Sequence, residues 1–500
     1  MKLKVKTTIK KHVVTAIVSV VVLVSVVTVL PVVSGATITV PDDYPTIQQA
    51  VNAAHAGDTV YIRSGTYYEH VVIDKSLILQ GETRDTTIVN GSGSGYVIHL
   101  RADNVFIQQL TVTNGNRGIF LDHADNCEID DVIANYCAEG MTFVYSTYNI
   151  VENTIVAHNN PLGINTGDRG SHHNTFQNIE AYSNIGSAIM GYAGSHYTKI
   201  LDSHLYDNNS GVTIGWSSYW SIENTVIHSN GSSGILIDTA SNGTVENCEI
   251  YSNRYGVDFM GLGSYYNIVV NNRIHSNVCG LYVGARSQHN TAKENVIYNN
   301  GYGVWIRRND LNLNHSNVLY HNDFINNTVN AQVDEDRYAN TWDNGYPSGG
   351  NYWSDYAGVD VYRGAAQNTP GSDGIGDIPY VMNVKNRDNY PLMTPVKGLP
   401  QEIHTSNSDK VVLFDQIIRP LALFNINTAK SQLKKAFELS EELKTNTVPT
   451  EVKEKIGMAA EYIEKAEMYY NGRNYIAANY WANQALALLK EAIEIIEAQG

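Results

Sequence analysis

An all-β parallel β-helix of about 12 coils, followed by a small antiparallel three-helix bundle, is the fold class this 500-residue sequence predicts. Three observations carry it. A Gly-apolar-x-apolar unit recurs at Gly118, Gly140, Gly163, Gly211, Gly234, Gly256, Gly280 and Gly303, with Ser187 in the one vacant slot. Its steps are 22, 23, 24, 24, 23, 22, 24 and 23 residues, so one supersecondary unit stacks on itself. After residue 427 the composition turns to Ala, Glu, Lys and Leu at helical spacing.

The repeat dictates strands. One residue after each Gly stand Ile119, Met141, Ile164, Ala188, Val212, Ile235, Val257, Leu281 and Val304. Three residues after it stand Leu121, Phe143, Thr166, Met190, Ile214, Ile237, Phe259, Val283 and Ile306. Two apolar columns at period two are one strand with both side chains inward. Three residues before the Gly come Asn160, Asn184, Asn208, Asn253, Asn277 and Asn300, which can hydrogen-bond from coil to coil as an amide ladder. The neighbouring Gly is expected to supply positive φ in the turn.

At the amino terminus, Lys2, Lys4, Lys6, Lys10 and Lys11 precede an uncharged run over residues 13–33 and the small residues Ser34, Gly35 and Ala36. This reads as an export signal cleaved after Ala36, with a retained membrane anchor over 13–33 as the alternative. Residues 1–36 are therefore signal or anchor, and the rest is secreted or extracytoplasmic. Six Asn-x-Ser/Thr sequons, at Asn90, Asn208, Asn230, Asn242, Asn314 and Asn326, are compatible with a glycosylated exterior.

A helix with Ile47, Ala50, Val51 and Ala54 inward shields the first coil, because an open coil end exposes strand edges. The β-helix is assigned to 37–345 and a closing cap to 346–398. In that cap Gly and Pro force turns, and Tyr352, Trp353 and Tyr380 can cover the last coil. A linker spans 399–426 and the helical bundle 427–500. Leu433, Ala436, Phe437, Ser440 and Leu443 mark its first helix. Pro449 and Thr450 open the second, Gly472 ends it, and Asn474 caps the third. The bundle carries no catalytic signature and is read as a spacer or a site for a protein partner.

Net charge is −16 with 17% charged residues, which excludes the basic face a nucleic-acid partner needs. Membrane contact is expected only through the N-terminal segment. The 33 Tyr against 9 Phe suit a long surface that is half buried and half wet. Outward positions two after the Gly are Phe120, Thr142, Asn165, Ile189, Thr213, Leu236, Asp258, Tyr282 and Trp305; five after it are His123, Tyr145, Asp168, Tyr192 and Trp216. Tyr219, Trp220, Tyr265 and Tyr266 follow in the next turn. Tyr145, Tyr192, Trp216, Tyr282 and Trp305 are the candidate ligand-binding rings of a polysaccharide groove. A second column, His158, Tyr182, Tyr206, Tyr251, His275 and Tyr298, is read as rings stacked on one another.

Chemistry on that face would need converging carboxylates. Asp238 and Asp258, on adjacent coils, are one candidate pair, and Asp168 with Arg169 is another fragment. No cofactor is required by the pattern. Asp355, Asp360, Asp373 and Asp377 are hard oxygen donors close in sequence, so Ca²⁺ can be accommodated there, although turn-capping is the role their Gly-rich setting favours.

The strings Tyr44-Pro45-Thr46-Ile47-Gln48-Gln49-Ala50-Val51, Gly57-Asp58-Thr59-Val60-Tyr61-Ile62 and Gly65-Thr66-Tyr67-Tyr68-Glu69 resemble the start of pectin-lyase-like right-handed parallel β-helix proteins. The repeats resemble the NosD-type group, also called carbohydrate-binding and sugar-hydrolase repeats. So does the closing run through Gly349-Gly350-Asn351-Tyr352-Trp353-Ser354, Asp373-Gly374-Ile375-Gly376-Asp377 and Asp388-Asn389-Tyr390-Pro391. The resemblance covers about residues 38 to 395 and implies right-handed coils. For function it implies carbohydrate binding, with a polysaccharide lyase or glycoside hydrolase as one alternative and copper handling as another. Asn165-Thr166-Gly167-Asp168 and Arg273-Ile274-His275 depart from the polygalacturonase pattern of that superfamily. Copper(I) would want clustered Cys, Met and His, whereas Cys127, Cys137, Cys248 and Cys279 show no CxxC spacing.

Overall fold

The computed structural model describes residues 35–167, 170–284, 286–307, 316–334, 339–399, 419–442 and 449–471, together with 482, 485–486, 488–493 and 495–496. The chain divides into two compact units, Met1–Leu399 and Pro400–Gly500. The export segment expected at 1–34 lies outside the described residues.

Period-two columns of apolar side chains wind the first unit into three parallel sheets. The first sheet has 13 strands, from Thr37–Val40 to Val318–Tyr320. The second has 13, from Gly65–Tyr68 to Tyr352–Trp353, and the third has 12, from Val71–Ile73 to Val329–Val333. Each coil gives one strand to each sheet in turn, as Glu128–Asp130, Ile133–Asn135 and Glu139–Val144 do. The inward columns stack in register: Ile235 pairs with Val257, Val257 with Leu281, and Leu281 with Val304, all buried.

The Gly column has a different cause from the one the sequence suggests. None of its members has positive φ. Instead, a Cβ on Gly234 would lie 2.8 Å from the Gly256 carbonyl oxygen, and one on Gly256 would lie 2.6 Å from that of Gly280. Glycine is there because consecutive coils touch backbone to backbone. Positive φ falls on polar residues instead: His158, Ser183, Asp207, Ser229, Ser252, Ser276 and Asn299 all lie at 54–57°. Short polar side chains tolerate that region, and the next residue turns its amide inward.

Two alignments change. A Cβ on Gly163 would meet the Ala188 carbonyl at 2.4 Å, and Ile164 pairs with Ile189, so Ala188 and not Ser187 fills the vacant slot. One residue is inserted in that coil. Ile189 therefore points inward and is buried, while Met190 takes the outward place opposite Thr213. The amide ladder likewise runs through Asn159, not Asn160. It continues over Asn184, Asn208, Asn230, Asn253, Asn277, Asn300 and Asn327. Its members stand three or four residues before the Gly slot, so a fixed spacing misses Asn230.

Two further ladders line the other corners. One includes Asn267, Asn290, Asn317 and Asn340, and the other Asn272, Asn295, Asn322 and Asn351. Both end in the closing cap. The Asn386 amide oxygen takes the Asn340 N–H, and the Asp388 carboxylate takes the Asn351 N–H and the Trp353 indole N–H. Trp353 lies flat between Phe324 and Tyr380, at 4.5 and 4.3 Å between ring centres, and closes the core.

At the other end, helix α1 (Ile47–Ala53) buries Ile47, Ala50 and Val51. Thr46 caps it, and the Glu69 carboxylate accepts the amides of Ile47 and Gln48, which the helix itself cannot satisfy.

The second unit contains α2 (Arg419–Glu442), α3 (Thr450–Asn471) and helical residues between 482 and 496. Helix α2 starts inside the stretch read as linker, with Pro420 in its first turn, where a missing N–H costs nothing. Ala429, Ala436, Val452, Ile456, Ala459, Ile463, Ala485, Leu489 and Ala492 form one core. Lys430 midway along α2 pairs with Glu467 near the end of α3, and Lys455 early in α3 pairs with Glu491 late in the last segment, so α3 and the last segment run antiparallel. Phe437, expected inward, is exposed because Ala436 takes the core position. Leu443, Gly472 and Asn474 lie outside the described residues.

The Gly column gives a direct test. Gly256→Ala should lose about 1–3 kcal/mol of stability by overpacking. Gly231→Ala, with no atom closer than 3.8 Å, should stay within about 0.5 kcal/mol of the parent in chemical denaturation. Asn253→Ala, which orphans the backbone N–H of Asn230 and leaves its side-chain amide only the carbonyls of Leu205 and His228, should cost about 1–3 kcal/mol in the same assay. Equal losses in all three variants would contradict this account.

Candidate functional site: the aromatic corner

The corner between the third and first sheets gathers exposed rings because each coil turns there through a residue at positive φ. His123, Tyr145 and Trp216 occupy the first such position, at 55°, 49° and 50°. His123 and Tyr145 lie 4.8 Å apart, tilted by 31°. Trp216 is half exposed, at 50%, and no ring covers it among the described residues. Tyr192 is displaced by the insertion in its coil. Ala193 takes the turn position, so Tyr192 falls on the sheet face. Its ring lies across Gly215, where a Cβ would come within 2.0 Å of it, and its hydroxyl donates to the Asp238 carboxylate at 3.4 Å.

A second row runs beside the first. Tyr148, His173, Tyr197 and Tyr219 stack at 4.7, 4.3 and 5.1 Å, and after one coil without a ring Tyr266 and His289 stack at 5.1 Å. The sequence reading included Tyr219 and Tyr266 but missed Tyr148, His173, Tyr197 and His289. Their signal was available: each precedes an inward corner residue, namely Asn149, Asn174, Thr198 and Asn290. Trp220, expected on this face, is buried in the core against Gly243.

The column read as a stacking ladder is one, with His228 added. Tyr182, Tyr206, His228, Tyr251, His275 and Tyr298 stack face to face along the second sheet at 4.6–5.3 Å between centres, and His158, stacked on Tyr136 at the adjoining turn, meets Tyr182 edge-on at 85°. Burial holds His228 well below the ordinary imidazole range, at about 4, with His204 adding to the effect. Rings stacked in this way cover one another's faces. A sugar that stacks needs a free face, and Trp216 supplies one.

Tyr282 and Trp305 belong elsewhere. Tyr282 is only 5% exposed, lies edge-on to Trp305 and tilted against Tyr255, and its hydroxyl accepts from Arg307. Trp305 stacks on Tyr302 and donates to Asp334. Outward direction from the coil therefore does not give exposure here, because larger neighbours close over the position.

The carboxylates are similarly sorted. Asp168 and Arg169 lie outside the described residues. Asp238 is half-buried and bonded to Thr239 and Tyr192. Asp258 is 1% exposed; one oxygen accepts from Ser233 and the other finds no partner among the described residues. Burial pushes the Asp258 carboxyl up to about 7 despite Ser233 and Arg254, and the Asp238 charge adds to the rise. A carboxyl in this state can hold a proton at neutral pH, but at this burial no glycosidic oxygen reaches it. The pair thus lacks the access that hydrolysis needs.

In the cap, Asp355 accepts from Asn330 and Tyr380, and Asp360 from Ser372, Asp373 and Gly374. Asp373 accepts from Gly364, Gln367 and Ile375, and Asp377 from Val361 and Tyr362. All four carboxylates hold turns together.

Three sheets of coil-to-coil strands, capped at both ends and carrying their irregular residues outward, define a parallel β-helix repeat protein. More particularly, its later coils and the start of its closing cap are of the NosD type. Residues 170–358 match the family described as periplasmic copper-binding protein (NosD), and residues 95–218 match the right handed beta helix region. A cell surface glycoprotein of Methanothermus fervidus is 27% identical over 101 residues, which is 19% of this chain; the match spans 17% of that protein's length. Among solved structures, the A-module of Azotobacter vinelandii mannuronan C-5 epimerase AlgE4 is 17% identical, with 59% of this chain and 93% of that one covered at a TM-score of 0.51. The A-module of AlgE6 from the same organism is 19% identical, with 59% and 92% covered at 0.48. The AlgE4 likeness is one of fold.

The residues do not fit the copper that the family's description implies. Cys127, Cys137 and Cys248 each stand at the head of a different corner ladder, donating their amides to Asn149, Asn159 and Asn272. All four thiols are buried and directed at backbone carbonyls. Burial pushes Cys127 and Cys137 up to about 11 and Cys248 to about 12, whereas a copper ligand must be a thiolate.

Asp258 supplies a pH test. The folded chain keeps its proton up to about pH 7, and the unfolded chain loses it near about 3.9, so between these values the folded state binds more protons and stability falls as pH rises. Asp258→Asn should therefore be more stable than the parent at pH 8, by up to about 4 kcal/mol. The advantage should shrink toward pH 4. A difference that does not change with pH in thermal melts would contradict the buried-carboxyl account.

Proposed function

We propose that this chain is an extracytoplasmic β-helix that binds polysaccharide along the aromatic corner, without chemistry of its own. One observation carries the reading: Trp216 is half exposed with an open ring face, beside two rows of rings running along the rod. Amphipathic rings offer apolar faces to the C–H faces of sugars and keep polar edges in water. Asp238, held by Tyr192, supplies a hydrogen-bond acceptor next to them.

Location outside the cytoplasm is supported by the lysines and uncharged run of the first 36 residues. It is supported also by the periplasmic family description and the surface glycoprotein relative. No described helix is long and apolar enough to cross a membrane. A polysaccharide as partner is supported by the AlgE4 module, whose name gives mannuronan as its substrate. The helical unit is proposed to hold a protein partner. The net charge of −16 speaks against nucleic acid.

A glycan array that includes uronans and neutral polymers tests this. Retention of at least one polymer is expected, and Trp216→Ala should weaken it about tenfold, the loss of one stacked ring at about 1.4 kcal/mol. Tyr282→Ala should instead lower the melting temperature and leave affinity unchanged. Retention of no polymer on the array would overturn the reading.

A further inference from the structure

The second row of rings has a gap of one rung, and an N-glycosylation sequon stands in it. Tyr148, His173, Tyr197 and Tyr219 stack one per coil, Tyr266 and His289 resume the series, and the coil between Tyr219 and Tyr266 presents Asn242 at the equivalent turn position. The bridges from Ser218 to Ser241 and from Ser241 to Tyr265 keep the three coils in register. At about 4.8 Å per coil, Tyr219 and Tyr266 stand about 9.6 Å apart, the spacing of a stack that lacks one member. The two Tyr flanking the gap are 54% and 57% exposed, more than Tyr197 at 43%. Asn242 itself is exposed, with its side-chain N–H donating only to the Ser241 hydroxyl among the described residues.

The structure separates this sequon from the buried ones, and the gap in the ring row separates it from Asn326. Asn208 and Asn230 lie in the buried ladder, with amide hydrogens given to carbonyls and to the next Asn, so neither can carry a sugar in the folded chain. Asn90 is half-buried and its amide oxygen is engaged by Ser92 and Asn114. Asn314 lies outside the described residues, and Asn326 is exposed.

We propose that Asn242 is N-glycosylated and that its first pyranose ring fills the missing rung between Tyr219 and Tyr266. The donor is a polyprenyl-phosphate-linked sugar, and an oligosaccharyltransferase of the host performs the step. The Asn242 side-chain nitrogen bonds to the anomeric carbon, the bond from that carbon to the phosphate oxygen breaks, and the lipid phosphate leaves with the electron pair. The displaced amide proton goes to a base of the transferase. The sugar then projects from a side chain shorter than tyrosine plus its linkage, so it lies against the outer, hydroxyl-bearing halves of the two rings. Their C–H and π faces are complementary to a pyranose. The inference rests on the export reading above, because the donor and transferase act on exported chains.

Glycopeptide mass spectrometry of the full chain, recovered from the outside of its own cells or of an N-glycosylating host, tests it. The peptide containing Asn242 should carry hexose-class mass, and those containing Asn208 and Asn230 should not. Thr244→Ala, which leaves Asn242 in place, should abolish the modification. Removing the glycan should lower the melting temperature of the parent, and Tyr219→Ala with Tyr266→Ala should erase that difference while leaving occupancy intact. An exported chain with unmodified Asn242 would overturn this inference and leave export standing. A chain retained in the cytoplasm would overturn export, and this inference with it. Full occupancy with no change in melting on glycan removal would overturn the stacked placement.

Discussion

Backbone touching backbone between consecutive coils is the constraint on which the rest depends. At the Gly column the next coil's carbonyl comes within 2.4–2.7 Å of where a Cβ would stand at Gly140, Gly163 and Gly256. That closeness leaves no room for water in the adjoining corner. The corner still contains peptide groups that the sheets do not pair, and a buried peptide group without a partner is costly. The amide of Asn253 shows the solution. Its oxygen accepts the backbone and side-chain N–H groups of Asn230, and its own N–H groups reach the carbonyls of Ile227 and Tyr251 and the oxygen of Asn277. Asparagine fits because it carries a donor and an acceptor on a side chain short enough to stay inside the turn.

The cap follows from the same need. A ladder that simply stopped would leave its last donors buried and unmet. Asn386 and Asp388 are placed to receive them, one just before and one within the short strand Arg387–Asp388. Asp388 accepts from three N–H groups, those of Asn351, Trp353 and Tyr390, and burial still pushes its carboxyl up to about 7. The closing segment is therefore less an ornament on the rod than the terminus of its hydrogen-bond chains. The same holds at the head of the ladders that start at Asn159 and Asn272, where Cys137 and Cys248 stand, and of the shorter run from Asn149 to Asn174, where Cys127 stands. A small thiol fills the slot with no second amide for which a partner would have to be found.

The fold was legible because the inward columns obey one rule: Ile235, Val257, Leu281 and Val304 are apolar for one reason and at one period. The reading failed where the period slipped. One extra residue before Ala188 exchanged Ile189 and Met190 between the two faces, and a variable gap of three or four residues hid Asn230. Positive φ, expected at Gly, falls instead on polar and aromatic turn residues, and Gly answers a steric demand between coils. On the outside, direction from the coil was readable, but exposure was not. Tyr282 and Asp258 point outward and are covered, because burial there depends on neighbours a full coil away in sequence.

The aromatic corner shows why the outer face resists a simple count of rings. Most of its rings are spent on each other. In the six-ring run from Tyr182 to Tyr298 on the second sheet every interior face is taken, so that run stiffens the rod and offers little to a ligand. Binding capacity resides where the series breaks. Trp216 stands off the stack, and the rung at Asn242 is empty between two open Tyr faces. The repeat creates a uniform surface, and the departures from it create the places where something other than the protein can stack.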